Sequence, residues 1–296
     1  MRATVESREL GLLGGYELAT AWERDPCASL QDYLQKALSK PERSGHQHAF
    51  RGVSRCHDNL RASIDRRLIT APRPIDVETQ LLAEVLARAW EHLTPQERHR
   101  VLLAEARWGT RRNTAALIVA RHRLVPTRCL DWSYDPLTAL YFASQDHSYD
   151  DGEVWWFDRA EFDLCVAAQW PRVFGKTGHV EAEVEREFLS GAKGPWFTGL
   201  NYMLLPGDRP FRQSAWITIA GCLKTCHAQE IHSLGVRVKG RLVISSKHKP
   251  IAIRLLSELG ITTESLGIRE GDKADLVGRE ISEAFDREFP HLVSEP

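Results

Sequence analysis

No stretch of this chain reaches the roughly 20 consecutive apolar residues that a membrane-spanning helix needs. Its first residues also lack the charged-then-apolar layout of an export signal, so the expectation is a cytoplasmic chain with no membrane partner. An excess of one charge is missing too. Lys and Arg number 39 against 40 Asp and Glu, a formal net charge of −1, which argues against a globally basic nucleic-acid binder and leaves only local patches. Neither common glycine-rich phosphate loop is present, which counts against Rossmann and P-loop architectures. There is no internal repeat, low-complexity tract or evident interdomain linker. Six cysteines are scattered without a paired framework and read as reduced thiols. Cys222-x-x-x-Cys226-His227, with His232 nearby, invites a zinc reading. Its second ligand pair would have to come from Cys165 or His179, at no regular spacing, and no metal is expected. Arg128 beside Cys129 would favour a thiolate, but no His–Asp pair lies at a spacing that would make it a nucleophile.

What is present is an ordinary globular composition, 43% hydrophobic and 27% charged over 296 residues, enough for one large core or two small ones. Glu17 to Leu38 is amphipathic, and Asp25-Pro26 breaks it into two pieces. His46 to Val53 reads as a short strand. Val77 to Trp90, Pro95 to Trp108 and Asn113 to Arg121 read as helices, and Val180 to Leu189 as a charged one. Val154 to Phe157, Tyr202 to Leu205, Ser214 to Ile219 and Arg241 to Ser246 read as strands. Two further helices start at Lys249-Pro250 and Asp275, and residues 191 to 213 are the expected mobile loop. Helices cluster early and strands late, which predicts an α+β layer fold with a mostly late sheet.

The most informative segment runs from Arg123 to Ser144. Pro126 holds an extended approach. Thr127, Arg128, Asp131 and Ser133 then crowd polar groups around Leu130 and Trp132. Asp135-Pro136 reads as an N-cap followed by proline at the first helical position. Leu137, Leu140 and Tyr141 follow at helical spacing, with Ala139 and Ala143 as small residues on the packing surface. Two readings stand side by side: a ligand-holding corner, or a strand-to-helix turn cross-braced by an Arg128–Asp131 salt bridge. Upstream, Arg43, Arg51, Arg55, Arg61, Arg66, Arg67 and Arg73 face only Asp58 and Asp65, a patch suited to phosphate or nucleic acid or to a solvated helix face.

Phe50-Arg51-Gly52, Leu60-Arg-Ala-Ser-Ile-Asp-Arg66, Glu78, His122, Pro126-Thr-Arg128, Leu130-Asp-Trp132, Phe142-Ala143 and Asp151-Gly-Glu-Val-Trp155 together resemble the FRG-domain family. Ala62 replaces that family's proline, and Ala215-Trp216 replace part of its late Gln-x-Gly-x-Phe. On this resemblance residues 46–290 form the FRG domain, and residues 1–45 form a helical segment packed on its core. The order of elements is also similar to ADP-ribosyltransferases of the Arg–Ser–Glu type, which implies a split mixed or antiparallel sheet with NAD as co-substrate. Arg51, Gly52, His122, Thr127, Arg128 and Ser133 would then bind the dinucleotide. A guanidinium can clamp pyrophosphate, and glycine beside it would let the backbone approach the ring. His122, at a helix C-terminus, would be held charged by the dipole. Breaking the nicotinamide–ribose bond develops positive charge that an anionic acceptor stabilises. Gln213 stands where that type has glutamate and supplies no charge, so the carboxylate falls to Asp131, Glu187 or Glu230; Asp131 and Gln213 are the expected catalytic pair. The resulting expectation is an effector of toxin or antiviral-defence type that modifies a protein or nucleic-acid acceptor. The alternative is a non-catalytic module sensing nucleotide or nucleic acid.

Overall fold

The computed structural model describes residues 21–39, 48–56, 59–67, 74–108, 114–146, 149–170, 197–200, 209–223, 225–268 and 271–288. In chain order these form β1 (Arg24–Cys27), α1 (Leu30–Leu38), β2 (His48–Val53), α2 (Ser63–Arg67), α3 (Pro74–Arg88), α4 (Pro95–Trp108), α5 (Thr114–His122), β3 (Cys129–Ser133), α6 (Pro136–Ser144), β4 (Gly152–Asp158), α7 (Arg159–Gln169), β5 (Phe197–Leu200), α8 (Arg209–Arg212), β6 (Ala215–Ala220), α9 (His227–Ser233), β7 (Lys239–Ile244), α10 (Lys249–Glu258) and α11 (Lys273–Glu288).

The strands make one mixed sheet in the order β1-β7-β4-β2-β3-β6-β5. Only β1 and β7 run parallel; the other neighbours are antiparallel. The fold is α+β, as expected; the described strands form one sheet and not a split one, with four strands, β4 to β7, after residue 150 and three, β1 to β3, before residue 135. Asp25-Pro26 does not break a helix either. It lies in β1, an edge strand, where the missing proline N–H breaks no ladder, and Ser29 caps the helix that follows by accepting from the Asp32 N–H at 3.1 Å. The helix expected at Val180–Leu189 and the strand at Tyr202–Leu205 lie outside the described residues. So does most of the expected loop at 191–213, whose described parts are β5 and α8.

Strand alternation sorts side chains onto two faces. One face carries Leu130, Trp132, Trp155, Phe157 and Trp216, which meet Trp22, Phe162 and Phe197 in an aromatic core. The other face carries two separate clusters. Cys129, Ile217 and Ile219 pack with Leu81, Val85, Val101, Leu117 and Ile281 from the helices α3, α4, α5 and α11. Phe50, Val154, Trp156 and Leu242 pack with Tyr33, Leu140 and Leu256 from α1, α6 and α10. The seam between the two clusters falls where β2 meets β3, which share a single register pair, Phe50↔Ser133.

Helix α6 seats that seam. Asp135 caps it, accepting from the N–H groups of Leu137 and Thr138 at 3.0 Å each. The helix lies so close to β2 and β4 that its neighbours there must be glycine. A Cβ on Gly52 would stand 1.9 Å from the Ala139 carbonyl oxygen and 2.6 Å from the Ala143 nitrogen, and one on Gly152 2.3 Å from the Ala143 oxygen. Both obstacles are backbone, which cannot swing aside. Gly52→Ala is therefore expected to lose at least the about 1–3 kcal/mol typical of overpacking, read as a lower urea midpoint; an unchanged midpoint would show that α6 does not pack there.

Candidate functional site

A cavity of about 150 Å³ opens at the seam. Phe50, Arg51 and Gly52 form its β2 wall, and Asp131, Trp132 and Ser133 its β3 wall. Thr138, Ala139 and Phe142 of α6 lie on one side, and Arg121, His122 and Leu124 from the end of α5 on another. Arg209 and Gln213, at α8, complete it. Of the eight residues the sequence assigned, Arg51, Gly52, His122, Asp131, Ser133 and Gln213 come together here.

Thr127 and Arg128 are not among the cavity walls. Both precede β3, and their side chains are taken up by other elements. Arg128 is fully buried. Its Nε donates to Glu78 Oε2 at 2.7 Å, its Nη2 donates to the same oxygen, and its Nη1 donates to the Gly221 carbonyl at 2.8 Å. The Arg128 N–H adds a bond to Glu78 Oε1 at 3.2 Å. This residue ties α3 to β3 and β6 and has no role at the cavity. Thr127, also buried, exchanges bonds with the Ser63 hydroxyl, whose oxygen accepts from the Thr127 N–H at 3.2 Å. The expected Arg128–Asp131 bridge gives way to Arg121–Asp131, with Arg121 Nε donating to Asp131 Oδ2 at 2.7 Å.

The cavity's electrostatics follow from its arginines. Arg51 Nη1 donates to the Asp131 carbonyl at 2.6 Å, spanning the gap where β2 and β3 part. Arg209 Nη1 donates to the His122 carbonyl at 2.9 Å and lies 3.4 Å from Asp275 Oδ2. Burial works against ionisation of Asp131, but Arg121, His122 and Arg51 outweigh it and hold the carboxyl down at about 2. Burial pushes the His122 imidazole down to about 4; Asp131 opposes this, while Arg209 and Arg121 reinforce it. The charged His122 expected from its place at a helix end is therefore a neutral ring, because desolvation exceeds the dipole's effect.

Gly52 lines the cavity where α6 approaches most closely, and that approach by itself requires glycine there. Ser133 Oγ donates to the Gln213 carbonyl at 2.7 Å and accepts from the Asp135 N–H at 3.0 Å, so its hydroxyl locks the corner. Gln213 Nε2 donates to the Leu266 carbonyl at 3.0 Å. Leu124 holds a left-handed φ of 67° just past α5, where the Val125 N–H reaches back to the Ala120 carbonyl at 3.1 Å. Glycine is the usual residue at such a helix end.

Other candidates lie elsewhere. Glu230 is on α9, which packs against the aromatic face through Ala228 and Ile231, and Glu187 is outside the described residues. Cys129 is buried, and that burial, with Glu78 and Asp131, raises its thiol far above the ordinary range despite Arg128. Cys226 Sγ accepts from the Leu60 N–H at 3.5 Å, and His227 Nδ1 meets Thr218 Oγ1 at 2.8 Å. Among the described residues no three His, Cys, Asp or Glu side chains gather as a metal site would require. Of the arginine-rich stretch, Arg51 lines the cavity and Arg55 pairs with Asp150 at 2.9 Å, while Arg43 and Arg73 lie outside the described residues. Arg121 and Arg209 went unread in the sequence. Arg121 had a signal, standing beside His122 in the last turn of its helix; Arg209 had only its spacing of four from Gln213.

Residues 46–152 match the FRG domain, and the chain carries that domain there. The matched span runs from just before β2 into the start of β4 and supplies every cavity wall except Arg209 and Gln213. None of the curated proteins and none of the solved structures compared matches the chain.

Two outcomes test this arrangement. Glu78→Ala leaves the Arg128 guanidinium buried without its carboxylate and is expected to cost about 3–5 kcal/mol, measured by denaturant unfolding. The second concerns pH. His122 lies at about 4 and His227, also buried, at about 3, against an ordinary 6.5. The unfolded chain therefore binds more protons in the interval between. Stability should be full above pH 6.5 and fall as pH drops toward 4, by about 2–3 kcal/mol for each ring. His122→Asn should remove its share of that slope, and an unaltered slope would contradict the buried neutral ring.

Proposed function

We propose that this chain binds the phosphate part of a nucleotide in the cavity between β2 and β3. The observation that carries the reading is the charge balance of the walls: Arg51, Arg121 and Arg209 line one cavity whose one lining carboxylate among the described residues is Asp131, paired with Arg121, while Asp275 braces Arg209 from behind at 3.4 Å. Guanidinium forks match phosphate oxygens, and the partial exclusion of water at a half-buried site strengthens such bonds. The neutral His122 adds an imidazole without adding charge. At about 150 Å³, the cavity is smaller than the roughly 300–1,000 Å³ of pockets that engulf small molecules. It suits a phosphate with its sugar, and the rest of a nucleotide would extend outward.

A second reading, NAD-dependent ADP-ribosyl transfer to a macromolecular acceptor, is favoured by one observation. Asp131 is held ionised at the wall, and its Oδ1 has no hydrogen-bond partner among the described residues. An anionic oxygen there would stand against positive charge developing on a ribose. Gln213, its amide nitrogen engaged by Leu266, would contribute shape and not charge.

Titration calorimetry with ADP and NAD tests the first reading. Arg51→Ala is expected to weaken both by about 10-fold or more, the worth of one charge-assisted hydrogen bond, with the melting temperature within a few degrees. No binding of either nucleotide by the unaltered protein would overturn it. Incubation with NAD and cell lysate tests the second: nicotinamide release that Asp131→Asn abolishes supports transfer, and binding without release leaves the binding module alone.

A further inference from the structure

The cavity wants more than an anion. Two of its wall residues carry buried polar atoms of opposite character without a hydrogen-bond partner among the described residues: the acceptor Asp131 Oδ1 and the donor Arg209 Nε. Arg121 lines the same cavity and, among the described residues, donates through its Nε to Asp131 Oδ2. An acceptor left unmade in a desolvated place is unfavourable, and a ligand that satisfies it removes that penalty. A fully ionised phosphate can answer the arginines but has no proton to give Asp131. A hydroxyl has one.

We propose that the ligand is a sugar phosphate, the phosphorylated pentose of a nucleotide, with one sugar hydroxyl donating to Asp131 Oδ1 and the phosphate oxygens accepting from Arg209 and Arg121. The inference rests on the phosphate reading above and adds the hydroxyl. Asp131 thereby acts as a specificity residue: its carboxylate is tied to Arg121 through one oxygen and offers the other to the sugar.

The test compares ribose 5-phosphate with propyl phosphate, which has no hydroxyl, by calorimetry on the full chain at pH 8. There a phosphomonoester, whose second pKa is about 6, has lost its own P–OH. The unaltered protein is expected to bind ribose 5-phosphate about 10-fold tighter. In Asp131→Asn the Arg121 Nε–H claims the amide oxygen, which places the NH₂ where Oδ1 was and removes the acceptor. The preference should fall below about 3-fold, the value expected when only a weak contact remains. Equal affinity for the two phosphates in the unaltered protein overturns the hydroxyl contact and leaves phosphate binding standing. Failure of both phosphates and of ADP to bind overturns the phosphate reading itself. Should Asp131→Asn not fold, the two ligands on the unaltered protein still decide.

Discussion

The backbone-to-backbone approach of α6 onto β2 and β4 is the constraint from which the rest of this architecture follows. Glycines at 52 and 152 and alanines at 139 and 143 let the helix sink onto the sheet until carbonyls and strand atoms nearly touch. A helix held that close fixes the end of β3, which runs into it through Asp135, and the end of β2, which lies beneath it. With both ends fixed, β2 and β3 meet at Phe50↔Ser133 and part from there. Parting strands leave backbone groups that need partners, and Arg51 supplies one by donating across the gap to the Asp131 carbonyl.

The seam also explains why a polar cavity survives beside two apolar cores. On this face of the sheet, Cys129 belongs to one cluster and Phe50 to the other. Asp131 and Ser133 stand between them. Filling the seam with apolar side chains would merge the clusters; instead Arg121, His122 and Arg209 converge on it from α5 and α8. Arg209 is in turn braced by Asp275, which also bonds Arg123 Nη1 at 3.0 Å, and Arg123 holds Glu97 at 2.7 Å. Arg209 is thus anchored to α4 and α11 through a chain of buried carboxylates, so its position is set by the helical layer.

Much of this was legible in the sequence, and what was not failed for identifiable reasons. Asp135-Pro136 announced its helix because capping and proline chemistry are local, and Ala139 and Ala143 announced its packing face by spacing alone. Arg51, Asp131 and Gln213 were read as neighbours from residue type and order, and they line one cavity. Thr127 and Arg128 were read into the site because residues close in sequence were taken as close in space, while both precede β3 and are held elsewhere, Thr127 by Ser63 and Arg128 by Glu78. The Arg128 partner, Glu78, stands 50 residues away, and no short-range pattern reveals it. His122 was given a charge from its helix end, a local effect, when its burial by distant elements decides the matter. Asp25-Pro26 shows the same limit: whether a proline interrupts a helix or edges a sheet depends on β7, more than 200 residues downstream.

That separation of local from distant causes bears on how the FRG segment itself divides its labour. Its named arginine and glycine are adjacent, yet they answer to different demands. Gly52 meets a steric one, set by α6, and no other residue type satisfies it. Arg51 meets an electrostatic one, set by the parting of β2 from β3, where its guanidinium donates to the Asp131 carbonyl. Within the motif around residue 128 the split recurs, with Arg128 committed to Glu78 and Asp131 to the cavity wall. The segment therefore carries two interleaved patterns, one that builds the seam and one that charges it. A chain could keep the first and alter the second without losing the fold. Within the matched span the charge of the cavity wall therefore rests on Asp131 and Arg121 as well as on the arginine that stands out in the sequence, while Arg209 joins them from outside that span.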